Sequence, residues 1–139
     1  MTVICASNMI YGMTGGQVSS TTSVGAFTQT TTQGNPYRPF DLCKLIIAAG
    51  ATYAARYSLT QPFALIASIK KALQTNGFCF IEVLSPCPTQ FGRHNQLDTP
   101  ADMIKDLMDK CITRRKAKNL SPEELKGKII TGEFANGAD

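Results

Sequence analysis

The segment "FCFIEVL" (residues 78–84) restricts the choice of fold more than any other part of the chain. Its side chains are apolar on both faces of a strand, apart from Glu82. A strand of this kind has to be covered on both sides, which is typical of a parallel sheet packed between helices. We therefore expect an α/β fold built around this strand.

Strand-like and helix-like segments alternate around this central strand. Apolar residues predict two further strands, at 2–6 and 51–57. Capping residues and apolar residues at helical spacing predict helices that begin near Asp41, Thr60, Thr99 and Ser121. This alternation predicts an open, mostly parallel sheet flanked by helices.

The helix expected between Thr60 and Gly77 has the clearest pattern in the chain. Its apolar residues recur at helical spacing and form one stripe, made of Phe63, Ile66, Ile69 and Leu73. Asn76 and Gly77 form a typical helix end. We expect this helix to cover the sheet with that stripe.

The composition indicates one globular domain. The chain has 139 residues, of which 43% are hydrophobic and 17% charged, enough for one core. No apolar run approaches the ~20 residues of a membrane helix, and no basic-then-apolar leader precedes the first strand. The five cysteines are odd in number and lie mostly in apolar patterns, which favours a reducing compartment. We expect a cytoplasmic protein without membrane contact.

The net charge of +4 comes largely from a basic cluster at Arg114, Arg115, Lys116 and Lys118. No aromatic residues are interleaved with it, which argues against nucleic-acid binding. Two interpretations stay open for the cluster. It is a solvated helix face, or it docks an acidic electron-carrier protein.

The segment "SNMIYGMTGGQ" (residues 7–17) follows the first predicted strand and is dense in glycine. Asn8 offers a neutral carbonyl oxygen of the kind that a hard divalent cation accepts. Gly12, Gly15 and Gly16 let the backbone approach a bulky anion closely. These features indicate a site for a metal and a diphosphate, although neither common phosphate-loop pattern occurs. The alternative is a glycine-rich turn that binds no ligand.

The segment "SPCPTQFGRHN" (residues 85–95) follows the strand that ends at Leu84. Because ligands bind beyond the carboxyl ends of strands in parallel sheets, we expect both segments at one edge of the sheet. Cys87 lies between two prolines, which points its sulfur to that edge. The spacing of Cys79, Cys87 and His94 is too irregular for a zinc site. We expect His94 to contact a partner subunit rather than act as a base.

A stretch rich in threonine and serine covers residues 19–34. It has no helical periodicity and few residues that could anchor a core. We interpret it as an ordered functional or partner-facing loop, with a low-complexity linker as the alternative.

Several motifs together resemble one protein family. They are "NMIYGMTGGQ", the threonine-rich stretch, "GNPYRPFD", "AAGATYAAR" and "FIEVLSPCPTQFGRHN". In this order they are similar to the thiamine-diphosphate-binding β subunit of the 2-oxoacid:ferredoxin oxidoreductases, and "YGMTGGQ" is closest to the 2-oxoglutarate branch. The resemblance implies that residues 1–98 form the carboxyl-terminal part of the thiamine-diphosphate-binding domain and that residues 99–139 form a helical carboxyl-terminal extension.

The resemblance also assigns roles to individual residues. Asn8 matches a side-chain ligand of the Mg²⁺ that holds the diphosphate, and Ile10 matches the position whose main-chain carbonyl is a second ligand. The turn along the diphosphate and thiazolium corresponds to Tyr11, Gly12, Met13 and Thr14. Met13 stands where pyruvate-type relatives carry a polar amide, which favours 2-oxoglutarate as substrate. Cys87 resembles the fourth ligand of a [4Fe-4S] cluster.

Two parts of the family pattern are absent from this sequence. The family takes its third Mg²⁺ ligand from an upstream Gly-Asp-Gly motif, and its other three cluster cysteines from the amino-terminal region. We expect that the chain is a truncated or split subunit, or else that it has lost the cofactor site. We also expect the isolated chain to be inactive and to fold poorly or aggregate.

The function implied by the resemblance is oxidative decarboxylation of a 2-oxoacid. The whole enzyme would be a hetero-oligomer of this subunit and an α subunit. This assembly would transfer the acyl group to coenzyme A, and it would pass electrons through iron-sulfur centres to ferredoxin. The alternative is a non-catalytic subunit-interaction fragment that cannot bind cofactor alone. A stand-alone phosphate-binding module is a third hypothesis, and it predicts cofactor binding by the isolated chain.

Overall fold

The computed structural model of the chain describes residues 1–97 and 99–136. Five strands form one sheet in the order β1-β3-β2-β5-β4. The strands are β1 (Thr2–Ser7), β2 (Tyr53–Ser58), β3 (Cys79–Leu84), β4 (Cys111–Thr113) and β5 (Ile129–Asn136). β1 and β2 run parallel to β3 on either side of it, β5 is antiparallel to β2, and β4 is parallel to β5. The mostly parallel α/β sheet is confirmed, and every residue of β3 is buried.

Helices connect and cover these strands. They are α1 (Leu42–Ala48), α2 (Pro62–Gln74), a π-helical turn (Pro88–Gly92), α3 (Pro100–Lys110) and α4 (Arg114–Ala117). Asp41 caps α1 as predicted, and Thr99 and Asp102 form the capping box of α3. The predicted cap of α2 is wrong by one residue. Gln61 occupies that position, and the Thr60 hydroxyl pairs with Ser58 instead, at 2.5 Å.

The helix α2 does not bury the whole of its apolar stripe. Leu65 and Ile69 pack against the cluster of buried residues on the sheet. Phe63 and Leu73 are 87% and 70% exposed, whereas the buried residues of the helix are the small Ser68 and Ala72. These two apolar side chains therefore lie on a face that the described residues leave open.

The expected helical extension over residues 99–139 needs a correction. The segment contains α3 and α4 but also β4 and β5, and β5 pairs with β2. The Ser121 capping box forms, with the Ser121 hydroxyl 2.8 Å from Glu124, but turns follow it and no helix begins there. Gly127 has φ +75°, after which β-branched residues such as Ile129 and Ile130 enter the sheet. Residues 137–139 lie outside the described part of the chain.

A buried ion pair joins the two central strands. Arg56 of β2 lies opposite Glu82 of β3, and its Nε donates to Glu82 Oε2 at 2.6 Å. Its Nη2 donates to Asp41 Oδ1 at 2.6 Å, which attaches the start of α1 to the sheet. Arg56 and Glu82 are only 8% and 4% exposed. Glu82, the one charged residue of the central strand, is therefore neutralised by its neighbour.

We predict that removing Arg56 alone destabilises the fold strongly. Arg56→Met leaves the Glu82 carboxylate buried without its partner, which costs about 3–5 kcal/mol in the free energy of unfolding. The double variant Arg56→Met/Glu82→Leu should recover most of that loss. Urea unfolding measures both. As a control, Lys110→Met breaks the exposed Lys110–Asp106 pair and should cost less than about 0.5 kcal/mol. Equal losses for Arg56→Met and Lys110→Met would contradict the role of the pair.

We also predict an acid-dependent contribution from Asp41. Burial raises the pKa of Asp41, but the hydrogen bond and charge of Arg56 outweigh burial, so the pKa lies below its ordinary value of 3.8. A carboxyl group with a lowered folded pKa stabilises the fold above its ordinary pKa, and this stability is lost as the pH falls through the folded pKa. Asp41→Asn keeps a helix cap and should cost about 1 kcal/mol at neutral pH, since the side chain is partly exposed. Unfolding curves of both proteins should converge at about pH 2. If the two proteins still differ in the free energy of unfolding at that pH, the charge of Asp41 is not the source of the difference.

Candidate functional site

The parallel pairing of β1 with β3 brings the two glycine- and proline-rich segments together. Ser7 lies opposite Leu84 at the carboxyl ends of the two strands. Beyond them, Cys87 N donates to Asn8 O at 3.2 Å. The segments after both strands therefore meet at one edge of the sheet.

A sharp turn at Met9 separates the two positions assigned to the metal. Met9 has φ +63°, a left-handed conformation that is uncommon for a residue with a side chain. Its side chain is buried in the apolar cluster at this end of the sheet, and its carbonyl accepts a hydrogen bond from Thr22 Oγ1 at 2.8 Å. This bond and the burial stabilise the turn, which leaves Asn8 exposed on one side and Ile10 buried on the other.

The oxygen atoms of Asn8 and Ile10 differ in what they bind. Asn8 Oδ1 accepts from Ile10 N at 3.3 Å, a long hydrogen bond within the turn. Ile10 is 1% exposed, and within residues 1–97 and 99–136 no hydrogen bond to its carbonyl oxygen is present. Buried carbonyl groups are almost always paired. An unpaired main-chain carbonyl two residues after an exposed amide offers two oxygen atoms of the kind that a hard cation accepts.

The turn after Ile10 is held by its own backbone. Tyr11 N donates to Gln17 O at 3.0 Å, and Gly16 N donates to Tyr11 O at 2.9 Å. Gly15 and Gly16 have φ +99° and +95°, which side chains rarely adopt. The positions assigned to the cofactor at the tip are open, since Tyr11 is 54% exposed and Met13 is fully exposed.

Cys87 lies directly beside this turn. It is half-buried, and its Sγ accepts a hydrogen bond from Gln90 N at 3.5 Å. A Cβ atom at Gly12 would lie 3.5 Å from that sulfur and 3.9 Å from Asn8 Nδ2. Asn8, Gly12 and Cys87 thus form one small surface.

A metal ion or an iron-sulfur cluster requires several ligands that lie close together. In the part of the chain that the structure describes, no group of three or more His, Cys, Asp or Glu side chains is placed to hold a metal ion. The other cysteines belong to strands, helices or their ends, and Cys43 and Cys79 are buried. Cys87 alone does not fit a [4Fe-4S] cluster, which needs four ligands.

The threonine-rich stretch is an ordered loop, as one of the two sequence interpretations proposed. Asn35 is buried and donates to Thr22 O at 2.9 Å, and Gln29 N donates to Gly16 O at 2.8 Å. The loop therefore packs against the turn at residues 8–17 by hydrogen bonds between polar groups, which explains why it carries threonine instead of apolar residues.

Asn95 connects this loop to the second segment. Its Oδ1 accepts from Phe27 N at 2.9 Å, and its Nδ2 donates to Phe27 O at 3.0 Å and to Phe91 O at 2.8 Å. His94 Nδ1 lies 2.7 Å from Gln90 O, so that nitrogen has a partner inside the chain. The expected contact of His94 with a partner subunit stays a prediction.

Sequence reasoning missed Thr22, Asn35 and Asn95 as residues that position the site. The signal that could have pointed to Asn35 is the "GNP" tripeptide after a threonine-rich run, because asparagine next to proline often organises a turn. Nothing local marks Thr22 among its many neighbours of the same type.

One member of the basic cluster at residues 114–118 contacts the rest of the chain. The Arg114 guanidinium lies 5.2 Å from the centre of the Phe134 ring.

Three kinds of similarity relate the chain to known proteins. Residues 1–83 match the family described as thiamine pyrophosphate enzyme, C-terminal TPP binding domain. The 2-oxoglutarate synthase subunit KorB of Methanocaldococcus jannaschii is 55% identical over 134 residues, which are 96% of this chain and 50% of that protein. The subunit of the same name from Methanothermobacter thermautotrophicus is 50% identical over 136 residues, which are 98% of this chain and 48% of that protein. The chain thus spans about half the length of the curated relatives it matches.

A solved structure has the same fold. It is the 2-oxoglutarate:ferredoxin oxidoreductase from Magnetococcus marinus with 2-oxoglutarate, coenzyme A and succinyl-CoA bound. The match has a TM-score of 0.76 and 27% sequence identity, and it covers all of this chain and 48% of that one.

Among the helices of the described residues, none has the length and apolar character that crossing a membrane requires.

We predict that the packing of residues 85–95 against α3 requires the absence of a side chain at Gly92. A Cβ there would lie 2.8 Å from Leu97 O and 3.0 Å from Met103 Sδ. Gly92→Ala should therefore push α3 and the loop before it away and cost about 1–3 kcal/mol. Gly12→Ala is the matched control, because its Cβ would meet only ordinary contacts, and it should stay within about 0.5 kcal/mol. Thermal unfolding of both variants measures this. A Gly92→Ala melting temperature equal to that of Gly12→Ala would contradict the close approach.

Proposed function

This chain belongs to the family of thiamine pyrophosphate enzymes, whose C-terminal TPP binding domain it matches over residues 1–83, and we propose that it forms the carboxyl-terminal half of a cofactor-binding β subunit. The subunit would be that of a 2-oxoacid:ferredoxin oxidoreductase. Identities of 50–55% with KorB subunits of 2-oxoglutarate synthases support this assignment and favour 2-oxoglutarate as the substrate. Residues 1–98 would be the cofactor-binding part and 99–139 an extension of it.

The observation that carries the proposal is the pair of oxygen atoms on either side of Met9. Asn8 Oδ1 and the unpaired carbonyl of Ile10 would hold a Mg²⁺ ion, and that ion would hold the diphosphate of the cofactor. Mg²⁺ prefers near-octahedral oxygen coordination. Two protein oxygens leave positions for phosphate oxygens, for water and for a further ligand from another segment.

The exposed tip of the turn would lie along the cofactor. Tyr11, Gly12, Met13 and Thr14 would contact the diphosphate and the thiazolium, and the backbone can come close where Gly12 has no side chain. Thr14 Oγ1 already donates to Gln17 Oε1 at 2.9 Å, which orients its hydroxyl. Tyr11 and Met13 would exclude water from the reacting centre once they are covered.

No side chain of this chain has to act as a nucleophile. When bound, thiamine diphosphate supplies the carbanion chemistry that cleaves the bond to the leaving carboxylate of a 2-oxoacid. The residues of this chain would hold and orient the cofactor through Asn8 and Ile10. We propose coenzyme A as the acyl acceptor and ferredoxin as the electron acceptor. The α subunit would supply the rest of the pocket.

The iron-sulfur part of the hypothesis depends on other chains or segments. Cys87 is beside the proposed cofactor turn, so a cluster there would be close enough to the reacting centre to take its electrons. Because the described residues offer no group of three or more His, Cys, Asp or Glu side chains placed to hold a metal, the remaining thiolates would have to come from elsewhere. The five cysteines, all in described positions, are free thiols, which supports a cytoplasmic location.

The chain would need a neighbour for its sheet as well as for its site. β1 is an edge strand, and Ile4 on it is 53% exposed. Exposed apolar edge strands promote aggregation. This supports the expectation that the chain folds poorly or aggregates when it is isolated and that it works in a hetero-oligomer.

We predict that cofactor binding requires the amino-terminal half of the subunit. Calorimetric titration of the isolated chain with thiamine diphosphate should give no binding heat that depends on Mg²⁺. A full-length subunit, made by joining the chain to the amino-terminal half of a KorB relative, should bind. In that subunit Asn8→Leu removes a metal ligand and should weaken binding at least about tenfold, since even groups that only orient metal ligands contribute that much. Asn8→Asp keeps an oxygen atom and should bind more tightly than Asn8→Leu.

The other outcomes distinguish the remaining hypotheses. A full-length subunit that does not bind the cofactor would favour the non-catalytic interaction fragment. Mg²⁺-dependent binding of thiamine diphosphate by the isolated chain would favour a stand-alone phosphate-binding module. Equal affinities of the wild-type and Asn8→Leu subunits would contradict the assignment of the metal site.

A further inference from the structure

A cleft of about 760 Å³ lies beside the start of α1 and is not lined by Asn8. We call it the basic cleft. Ser7, Arg56 and Glu82 line it, and the cationic side chains around them are Arg38, Lys44, Lys126 and Lys128. Its size is within the range of about 300–1,000 Å³ that is common for small-molecule sites.

The charges of the basic cleft do not balance. Its two carboxylates, Asp41 and Glu82, are both bound by Arg56 at 2.6 Å. Lys44 makes only a weak contact with Asp41, at 3.8 Å. Within residues 1–97 and 99–136, Arg38 and Lys126 form no ion pair. The cleft therefore has a surplus of positive charge that an anion would neutralise.

Ser7 adds a second and independent observation. It is the last residue of β1, it lines the cleft, and it is 5% exposed. Its Oγ is buried and has no hydrogen-bond partner among the described residues. Buried hydroxyl groups in native proteins are nearly always hydrogen-bonded. A ligand oxygen in the cleft would provide the partner that this hydroxyl lacks.

The remaining walls of the cleft are apolar and partly aromatic. Phe40 lines it and is 62% exposed, and Phe134 lines it beneath the Arg56 guanidinium, 5.3 Å from the ring centre. A flat apolar group can pack against such a surface. The lining thus combines cations and a hydroxyl donor with a surface for a ring.

We propose that the basic cleft binds an organic phosphate, with its phosphate groups at Ser7, Arg38 and Lys126 and its ring against Phe40. The cleft adjoins the turn that begins at Asn8, since Ser7 and Met9 line it, but Asn8 itself does not. The proposal does not depend on the proposed function. It requires neither Mg²⁺ nor thiamine diphosphate.

The test is calorimetric titration with ADP in the presence of EDTA, on the full-length subunit described above. ADP should bind, and Arg38→Gln/Lys126→Gln should weaken it at least about tenfold, the size expected when charge-assisted hydrogen bonds are lost. The matched control Arg115→Gln/Lys118→Gln removes the same charge outside the cleft and should leave the affinity unchanged. Equal weakening in both double variants would show non-specific attraction and overturn the proposal.

The variant Ser7→Ala distinguishes a role of Ser7 in ligand binding from a purely structural role. Removing an unpaired buried hydroxyl should raise the melting temperature without ligand. The rise in melting temperature that ADP causes should become smaller. An unchanged ADP effect would overturn the role of Ser7 in binding.

Two further measurements separate this site from the cofactor site. Asn8→Leu should not change ADP affinity, and a loss of affinity in that variant would place the anion at the metal site proposed for Asn8 and Ile10 and overturn the proposal. Inorganic pyrophosphate should bind more weakly than ADP because it has no ring. Equal affinities would overturn the organic part of the proposal, and no binding of either probe would overturn all of it. Failure of thiamine diphosphate binding in the full-length subunit would leave these results unaffected.

Discussion

The parallel pairing of β1 with β3 determines where the candidate site lies. Because Ser7 is opposite Leu84, the two strands end at the same level of the sheet. The backbone N–H of Cys87 can therefore donate a hydrogen bond to the carbonyl of Asn8. A shift of one residue would turn the side chains of β1 to the other face of the sheet. The exposed amide of Asn8 would then point away from Cys87. The site is therefore a consequence of strand register and does not depend on either segment alone.

The strained turn at Met9 is stable because groups distant in the sequence hold it. A left-handed residue with a side chain costs free energy, and the hydrogen bond from Thr22 together with burial of the Met9 side chain offsets that cost. Asn35 in turn holds the Thr22 backbone. The threonine-rich loop thus acts as a polar support for the turn. Its composition reflects hydrogen bonding and not the absence of structure.

The elements that have a local sequence pattern could be predicted from the sequence alone. The apolar run of β3 and the capping residues of α1 and α3 were predicted correctly, because each depends on neighbouring residues. The strand β5 was missed. It is held by contacts such as that of Tyr53 with Glu133, which are 80 residues apart, and no periodicity shows such a pairing. The Arg56–Glu82 pair was missed for the same reason, because the sheet brings together two charges that are 26 residues apart.

The metal site proposed at Asn8 and Ile10 would link cofactor binding to assembly. Asn8 and Ile10 offer two neutral oxygens, which are fewer than Mg²⁺ requires and do not offset its charge. If another segment supplies the remaining ligand, that segment raises the affinity for the cofactor. By thermodynamic linkage, the cofactor then raises the affinity for the segment by the same factor. A chain that is unable to bind the cofactor alone can therefore still contribute a large share of the binding free energy in the assembled enzyme, and the exposed surfaces around Tyr11 and Met13 are where that coupling would act.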